Sequence, residues 1–125
     1  MNDNQSCPFC NLEREKIIES EFAFAIYDRF PVNEGHCLII PKRHTSNYFD
    51  LNFAEQIDCF SLLNRVKEKI QEIYNPNGYN VGININEAGG QTVPHVHIHL
   101  IPRYKDDVED PRGGVRGVIP AKKEY

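Results

Sequence analysis

The sequence predicts an α+β domain, in which helices pack on an antiparallel β-sheet. Two observations carry the prediction. Short apolar segments with an alternating pattern occur before and after one long segment, residues 52–74, whose apolar residues recur every three or four positions. The connections within each half are of hairpin length, whereas parallel strands need crossovers of about a dozen residues. Strands, a helix and further strands in this order are typical of the α+β class.

Three strands are predicted before the long helix. Residues 17–20 form a short first strand, and residues 22–28 form a second because aromatic and β-branched side chains alternate along them. A short connection leads to a third strand at residues 36–40, which Pro41 ends. The second and third strands therefore pair as a hairpin. A weaker pattern at residues 10–16 predicts a second, shorter helix.

The long helix is predicted from its two ends as well as from its apolar stripe. Asn52 can cap the first turn, and Glu55 three residues later completes a capping box. Pro76 cannot continue a helix, and the Asn77-Gly78 pair favours a turn. The stripe is assigned to the hydrophobic core and comprises Phe53, Ile57, Phe60, Leu63, Val66, Ile70 and Ile73.

Two further strands follow the helix, at residues 79–85 and 95–101, with a glycine-containing loop between them. The charged segment 105–125, which contains several glycines and prolines, is predicted to be irregular. A length of 125 residues with 40% hydrophobic and 26% charged residues suits one globular core. The chain is therefore predicted to be a single domain over residues 1–125, with its core at about residues 7–104.

Net charge and hydropathy exclude several functional classes. A net charge of -4 gives no basic surface of the kind that docks a nucleic-acid polymer. Small anionic ligands remain possible, because histidines and backbone amides bind phosphate locally. The apolar runs are too short to cross a bilayer, and residues 1–6 have no signal-peptide pattern. We therefore expect a cytoplasmic protein that contacts neither membrane nor nucleic acid.

Three of the five histidines, His95, His97 and His99, alternate with apolar residues. In a β-strand alternate side chains share one face, so the imidazoles would line a surface while Val96 and Ile98 enter the core. Imidazole is suited to proton transfer, nucleophilic attack and metal binding near neutral pH. A strand places the outer two side chains about 13 Å apart, so all three cannot bind one ion. At least one of them has a different role.

The residues around the triad supply groups that bind phosphate. The Gly89-Gly90-Gln91-Thr92 segment offers a close-approaching backbone, amide donors and a hydroxyl. His36, at the start of the third strand, adds a fourth imidazole if that strand lies near the histidine strand.

The His-x-His-x-His motif, the Gln-Thr-Val before it and the segment Gly35–His44 resemble the histidine-triad superfamily of nucleotidyl hydrolases and transferases. The resemblance covers about residues 7–103. The motif is most similar to that of the Fhit-like diadenosine-polyphosphate hydrolases and related bacterial members. This resemblance implies a five-stranded antiparallel sheet with two helices, and a twofold homodimer in which the two sheets become continuous.

The resemblance also implies residue roles. His97 would be the nucleophile that attacks an α-phosphorus, giving a nucleotidyl-imidazole that water cleaves to a nucleoside monophosphate. His99 and His36 would contact the phosphate or assist proton transfer to the leaving group. The implied substrates are nucleoside polyphosphates, dinucleoside polyphosphates and nucleoside phosphoramidates, and a divalent ion can accompany the substrate. The implied substrate-binding residues are Asn84, Gln91 and Thr92 for phosphate oxygens, Asp28 for ribose hydroxyls, and Phe9 with Ile17 and Ile26 for the base.

The Cys7-Pro8-Phe9-Cys10 segment is a C-x-x-C pair, for which a metal or redox role is favoured over a disulfide because no export signal is present. Such a pair is half of a zinc site. By resemblance to some bacterial histidine-triad proteins and to galactose-1-phosphate uridylyltransferases, His44 and His95 complete a structural Zn²⁺ site with Cys7 and Cys10. A pair of reduced, exposed thiols is the alternative.

Several alternatives remain open at this point. Asp28 and Phe9 can instead be a surface carboxylate and a core aromatic. Residues 111–120, which include two arginines, either fold over the partner's site or remain solvated. The chain is either the hydrolase described above, a metal-dependent hydrolase in which His97 and His99 bind a catalytic ion, or a nucleotide sensor with little turnover.

Overall fold

A computed structural model describes residues 6–124, which form a five-stranded sheet and one α-helix. The strands are β1 (Ile18–Glu19), β2 (Ala23–Tyr27), β3 (Cys37–Pro41), β4 (Gly78–Ile83) and β5 (Ile98–Arg103), and helix α1 (Phe53–Tyr74) joins β3 to β4. Neighbouring strands are antiparallel, in the order β1-β2-β3-β5-β4. The predicted class, the number of strands and the β2–β3 hairpin are confirmed.

The second predicted helix, at residues 10–16, is wrong, because α1 is the only α-helix in the part of the chain that the structure describes. Residues 8–11 form a turn, and the rest of the segment is irregular. Its one large apolar residue, Leu12, cannot make an apolar stripe and packs with Phe9 on the sheet instead.

Helix α1 itself is not long and apolar enough to cross a membrane.

Strand β5 begins at Ile98, three residues later than the predicted start at His95. The partner strand β4 ends at the position opposite Ile98. The backbone before β5 bonds elsewhere, since the N–H of Val96 donates to the Thr45 carbonyl at 2.8 Å. Two of the three triad histidines therefore precede the strand, so the predicted strand start is wrong. The imidazoles still follow one another along one side, since the His97 and His99 ring centroids lie 5.1 Å apart and Phe9 contacts both His95 and His97.

Helix α1 begins and ends as its sequence predicts. The side chain of Asn52 accepts the Glu55 N–H at 2.8 Å, and the Glu55 carboxylate accepts the Asn52 N–H at 3.0 Å. These two hydrogen bonds form the predicted capping box. The helix ends at Asn75, which adopts the left-handed conformation with φ of 50° and donates its N–H to the Gln71 carbonyl.

The predicted apolar stripe of α1 is only partly core. Its buried members are Leu63, Val66 and Ile70. The other members are exposed at the helix surface: Phe53 by 76%, Ile57 by 53%, Phe60 by 39% and Ile73 by 62%. The single sheet face beneath α1 does not reach these side chains, so their assignment to the core is wrong.

Both faces of the sheet carry buried apolar residues. The face under α1 packs on the buried side of the helix through side chains that include Ala25, Cys37, Ile39, Ile98 and Leu100. The opposite face carries a smaller cluster, Phe24, Ile26, Leu38 and Ile40, against which Phe9 and Leu12 pack. The N-terminal segment is therefore held against the sheet face that points away from the helix.

The segment after β5 is attached to the domain through Asp107. Its carboxylate accepts two hydrogen bonds from Arg103, one from the Asn33 side chain and one from the Tyr104 N–H. Beyond it, the predicted irregular segment contains two short 3-10 helices, Gly114–Val118 and Pro120–Lys122.

Candidate active site and metal centre

A cleft of about 510 Å³ opens on the sheet face away from α1. This volume lies in the range of small-molecule sites in proteins. His99 on β5 pairs with Leu38 of the opposite-face cluster, which fixes the side to which its imidazole points. The cleft is lined by Pro8, Phe9, Leu12, Arg14, Asp28, Arg29, Phe30, Val32, His36, Leu38, Asn84, Thr92, Val93, His97 and His99.

A backbone hydrogen bond sets the tautomer of His97. Its Nδ1 lies 2.8 Å from the carbonyl oxygen of His95. Because a carbonyl oxygen only accepts, Nδ1 carries the hydrogen, and in the neutral ring Nε2 keeps its lone pair. The His97 side chain is 8% exposed and lines the cleft. In this tautomer the ring presents one lone-pair, nucleophilic nitrogen to a ligand in the cleft.

His36 and His99 form a second hydrogen-bonded unit. The N–H of Val32 donates to His36 Nδ1 at 3.1 Å, so the hydrogen of the neutral ring lies on Nε2. His36 Nε2 is 3.0 Å from His99 Nδ1 and 3.3 Å from Asp28 Oδ2. His99 Nδ1 accepts this hydrogen bond, which leaves an N–H on His99 Nε2. The pair therefore offers a donor, not a lone pair, on the outer nitrogen of His99.

Both imidazoles of this unit titrate below the usual histidine range. Burial, followed by the neighbouring His97 and His36, lowers the pKa of His99 to about 4, against an opposing effect of the Asp28 charge. Burial also lowers the pKa of His36, against an opposing effect of the Asp28 charge. Both rings are consequently neutral near pH 7.

Asp28 and Phe9 both belong to the cleft. One oxygen of Asp28 accepts the Phe30 N–H at 2.9 Å, and the other faces His36. The Phe9 ring meets His97 edge-on, with 5.2 Å between ring centroids. Asp28 is thus not a simple surface carboxylate, and Phe9 is a wall of the cleft as well as a packed aromatic. Their contacts with ribose and base stay predictions.

Gln91, Ile17 and Ile26 do not line the cleft. The Gln91 amide donates to the carbonyls of Ser46 and Val93 at 2.7 and 3.1 Å and accepts the N–H of Asn86 at 2.9 Å. These bonds hold the loop 86–93 in place and link it to Ser46. Ile26 is fully buried in the sheet, and Ile17 packs on the core beneath α1. The predicted place of both isoleucines beside the base is wrong, because the two side chains are committed to the core.

Sequence reasoning missed three polar components of the cleft, namely Arg14, Arg29 and the N–H of Val32, as well as several apolar wall residues. Arg14 donates to the carbonyl of Tyr27. Arg29 directly follows Asp28, which was the only available signal for it. A backbone N–H has no residue-type signature, so the sequence contains no signal for the donor that orients His36.

The four predicted metal ligands converge beside the cleft. The ligand atoms of Cys7, Cys10, His44 and His95 all lie within 4.8 Å of one another. The measured separations are 3.4 Å from Cys7 Sγ to His95 Nδ1, 3.2 Å from Cys10 Sγ to His44 Nδ1, and 3.2 Å between the two Nδ1 atoms. Zinc–sulfur bonds of about 2.3 Å and zinc–nitrogen bonds of about 2.0 Å hold tetrahedral ligands about 3.3–3.8 Å apart. The cluster therefore has the dimensions of a tetrahedral zinc site.

The ligand tautomer also fits a metal. His95 Nε2 lies 2.8 Å from the Pro41 carbonyl and so carries the hydrogen, which leaves the Nδ1 lone pair directed at the thiols. Burial and the neighbouring Cys7 raise the pKa of the Cys10 thiol to about 11, which favours the protonated form. A bound divalent cation has the opposite effect and favours the thiolate. Four protein ligands leave no open position, so an ion here supplies structural support rather than Lewis-acid chemistry.

The histidines of the cleft are less suited to binding an ion than the Cys7, Cys10, His44 and His95 cluster is. Among the described residues, the second group with metal-ligand convergence is Asp28, His36 and His99, which does not include His97. The Val32 N–H occupies His36 Nδ1 and keeps a hydrogen on Nε2, the atom that would have to bind the ion. This geometry disfavours the predicted alternative of a metal-dependent hydrolase.

Comparison with protein families identifies the fold and the motif together. The model of the HIT domain family matches residues 11–106. The chain belongs to this family. A HIT-like protein of Mycoplasma pneumoniae is 39% identical over 108 residues, which cover 82% of this chain and 74% of that protein. A bis(5'-adenosyl)-triphosphatase of Dictyostelium discoideum is 36% identical over 103 residues, 82% of this chain and 69% of the relative.

One of the solved structures that resemble this chain is zinc-bound. The crystal structure of a Zn-bound histidine triad family protein from Mycobacterium smegmatis superposes with a TM-score of 0.77 at 31% identity. The match covers 86% of this chain and 81% of that chain.

Proposed function

We propose that this HIT-family hydrolase cleaves the α-phosphate bond of nucleoside or dinucleoside polyphosphates, or of nucleoside phosphoramidates, and releases a nucleoside monophosphate. The observation that carries the proposal is the hydrogen bond from His97 Nδ1 to the His95 carbonyl, which leaves Nε2 as a lone-pair nitrogen in the cleft. Relatives named as nucleosyl tetraphosphatase and adenosyl triphosphatase support this substrate class.

The reaction has two steps. His97 Nε2 attacks the α-phosphorus, a phosphorus–nitrogen bond forms, and the bond to the leaving group breaks. A phosphate chain leaves as its anion, whereas an amine takes up a proton from solvent as it leaves. Water then attacks the same phosphorus, the phosphorus–nitrogen bond breaks, and the water proton passes to solvent. The His95 carbonyl stabilises the cationic ring of the intermediate, and the N–H on His99 Nε2 donates to phosphoryl oxygens where charge develops. Asn84 and Thr92 line the cleft at positions suited to hold the remaining oxygens.

The test is turnover of a diadenosine polyphosphate and a fluorogenic adenosine phosphoramidate in parallel. We expect AMP release by the wild type and a loss of about a thousand-fold or more in His97→Asn, because the nucleophile is removed. Asparagine keeps an N–H for the His95 carbonyl, so AMP affinity measured by calorimetry should change little. Unchanged turnover in this variant contradicts the covalent mechanism, and AMP binding by a wild type without turnover favours the sensor alternative.

A structural Zn²⁺ held by Cys7, Cys10, His44 and His95 is the second part of the proposal. Its support is the tetrahedral spacing of the four ligand atoms and the Zn-bound relative. We expect about one equivalent of zinc per chain by elemental analysis after dialysis, and a lower melting temperature after chelation. Less than half an equivalent contradicts the site. A Cys10→Ser variant should lose zinc while Cys59→Ser, which changes a buried thiol elsewhere, keeps it.

The proposal also includes a homodimer in the cytoplasm, with no membrane or nucleic-acid partner. Its support is two features that a second copy would cover. Within residues 6–124, strand β4 pairs with β5 alone, so its other edge has no partner strand, and Val81 on it is 40% exposed. Phe53, Ile57 and Phe60, spaced four and three residues apart, form an exposed apolar stripe on α1, called the α1 stripe below.

A further inference from the structure

One turn of the chain belongs to both the metal centre and the cleft. Cys7 and Cys10 supply two of the four metal-ligand atoms. Pro8 and Phe9, which lie between them, line the cleft. Any displacement of the two thiols therefore moves two wall residues, because no flexible segment separates ligands from wall.

His95 is shared in a second way. Its Nδ1 faces the thiols and its Nε2 donates to the Pro41 carbonyl, so the ring is fixed on both sides when Nδ1 is bound. The side chain is fully buried. The backbone carbonyl of the same residue accepts the Nδ1 hydrogen of His97. The residue that binds the metal thus also sets the tautomer of the proposed nucleophile.

The Phe9 ring belongs to the C-x-x-C turn and also contacts His95, so it takes part in both links between the metal cluster and the cleft. Its centroid lies 5.8 Å from that of His95 and 5.2 Å from that of His97, and both contacts are edge-on. A metal ligand and the proposed nucleophile are therefore packed against one ring, which itself is carried by the C-x-x-C turn. The ring is placed where a ligand in the cleft and an ion in the cluster both constrain it.

We infer that zinc at the four-ligand cluster and a nucleoside monophosphate in the cleft bind cooperatively, with Phe9 as the positioning residue that couples them. The inference rests on the proposed function and on the proposed zinc site. Each ligand orders the C-x-x-C turn and His95, so the ligand that binds second meets a site already formed. By thermodynamic reciprocity, the factor by which zinc raises nucleotide affinity equals the factor by which the nucleotide raises zinc affinity.

The test uses zinc-loaded protein and a chromogenic chelator that competes for the ion, with and without saturating AMP. We expect AMP to raise the apparent zinc affinity by about five-fold or more, the lower end of typical coupling between sites. In Phe9→Ala the ratio of the two affinities should fall towards one, whereas Phe9→Tyr, which keeps the ring, should retain it. If the alanine variant does not fold, Phe9→Leu keeps apolar bulk without the ring and should lower the ratio.

The matched control is Val93→Ala, which removes apolar wall from the cleft but lies in neither the C-x-x-C turn nor the metal cluster. It should weaken AMP binding and leave the coupling ratio unchanged. Equal zinc affinity with and without AMP, in protein that calorimetry shows to bind AMP, overturns the inference and leaves the proposed function intact. A wild type that binds no AMP overturns both, and an unchanged ratio in both Phe9→Ala and Phe9→Leu overturns the role of Phe9.

Discussion

At the scale of single residues, the chemistry of the cleft depends on which nitrogen of each imidazole carries a hydrogen. The carbonyl of His95 and the N–H of Val32 decide this for His97 and His36 respectively. Both are backbone groups with fixed polarity, so neither can reverse its role as pH changes. The two histidines therefore have opposite roles, one as a lone-pair nitrogen and the other as a donor to His99.

The low pKa of His99 predicts a specific loss of stability in acid. Its pKa is about 4 in the folded protein against an ordinary value of 6.5. The unfolded chain binds the proton more tightly, so this stabilisation is present above pH 6.5 and is lost as the pH falls towards 4. Between pH 7 and pH 5 we expect the residue to remove about 2 kcal/mol from the free energy of unfolding.

The measurement is denaturant unfolding of the wild type and of His99→Asn at both pH values. Because asparagine does not titrate, the stability difference between the two proteins should shrink by about 2 kcal/mol on acidification. Two proteins whose stabilities fall in parallel between pH 7 and pH 5 would show that His99 keeps an ordinary pKa.

At the scale of secondary structure, the start of α1 depends on the capping box. Replacing Asn52 by alanine removes the acceptor of the Glu55 N–H and should lower the free energy of unfolding by about 1 kcal/mol. The control is Asn64→Ala, the same change at an exposed position inside the helix, which should stabilise by a few tenths of a kcal/mol, since alanine is the better helix former. Denaturant unfolding at pH 7 measures both, and equal effects of the two substitutions would contradict the cap assignment.

The elements that the sequence predicts well are those with local signals. Helix α1 was predicted to within one residue because Asn52, Glu55 and Pro76 mark its ends with groups that act on neighbouring backbone. The start of β5 was misplaced because alternation continues through the triad, whereas a strand also needs a partner, and β4 ends opposite Ile98. Partner strands are distant in sequence, so their ends leave no local pattern.

In the candidate site, too, residues with a local signal were predicted and features that depend on the backbone were not. The histidines, Asn84 and Thr92 were predicted because their side chains carry the chemistry and the family motif. Gln91 was assigned to phosphate by its place in the motif, yet its amide is used by backbone groups of Ser46, Asn86 and Val93. Whether a polar side chain faces a ligand or its own loop depends on backbone geometry, which residue type does not report.

At the scale of the whole molecule, the α1 stripe predicts the behaviour of an association variant. Placing a charge at Ile57, which is 53% exposed at the centre of the α1 stripe, should convert the proposed dimer to monomer, because the aspartate would lose its hydration in the interface. We expect Ile57→Asp to halve the mass measured by light scattering at micromolar concentration. The control is Lys69→Glu, an exposed change on α1 outside the α1 stripe, which should keep the dimer mass. A wild type of monomer mass contradicts the dimer itself.

The two edges of the sheet are unequal. The outer edge on one side is β1, with two residues, and on the other side it is β4, with six. The unpaired N–H and C=O groups of an edge strand can pair with a strand of another chain, and very short edge strands are one way in which proteins prevent such pairing. If two copies join through β4, the combined sheet ends in β1 on both sides. Growth then stops at two copies, so the short β1 makes the assembly self-terminating and protects it from polymerisation.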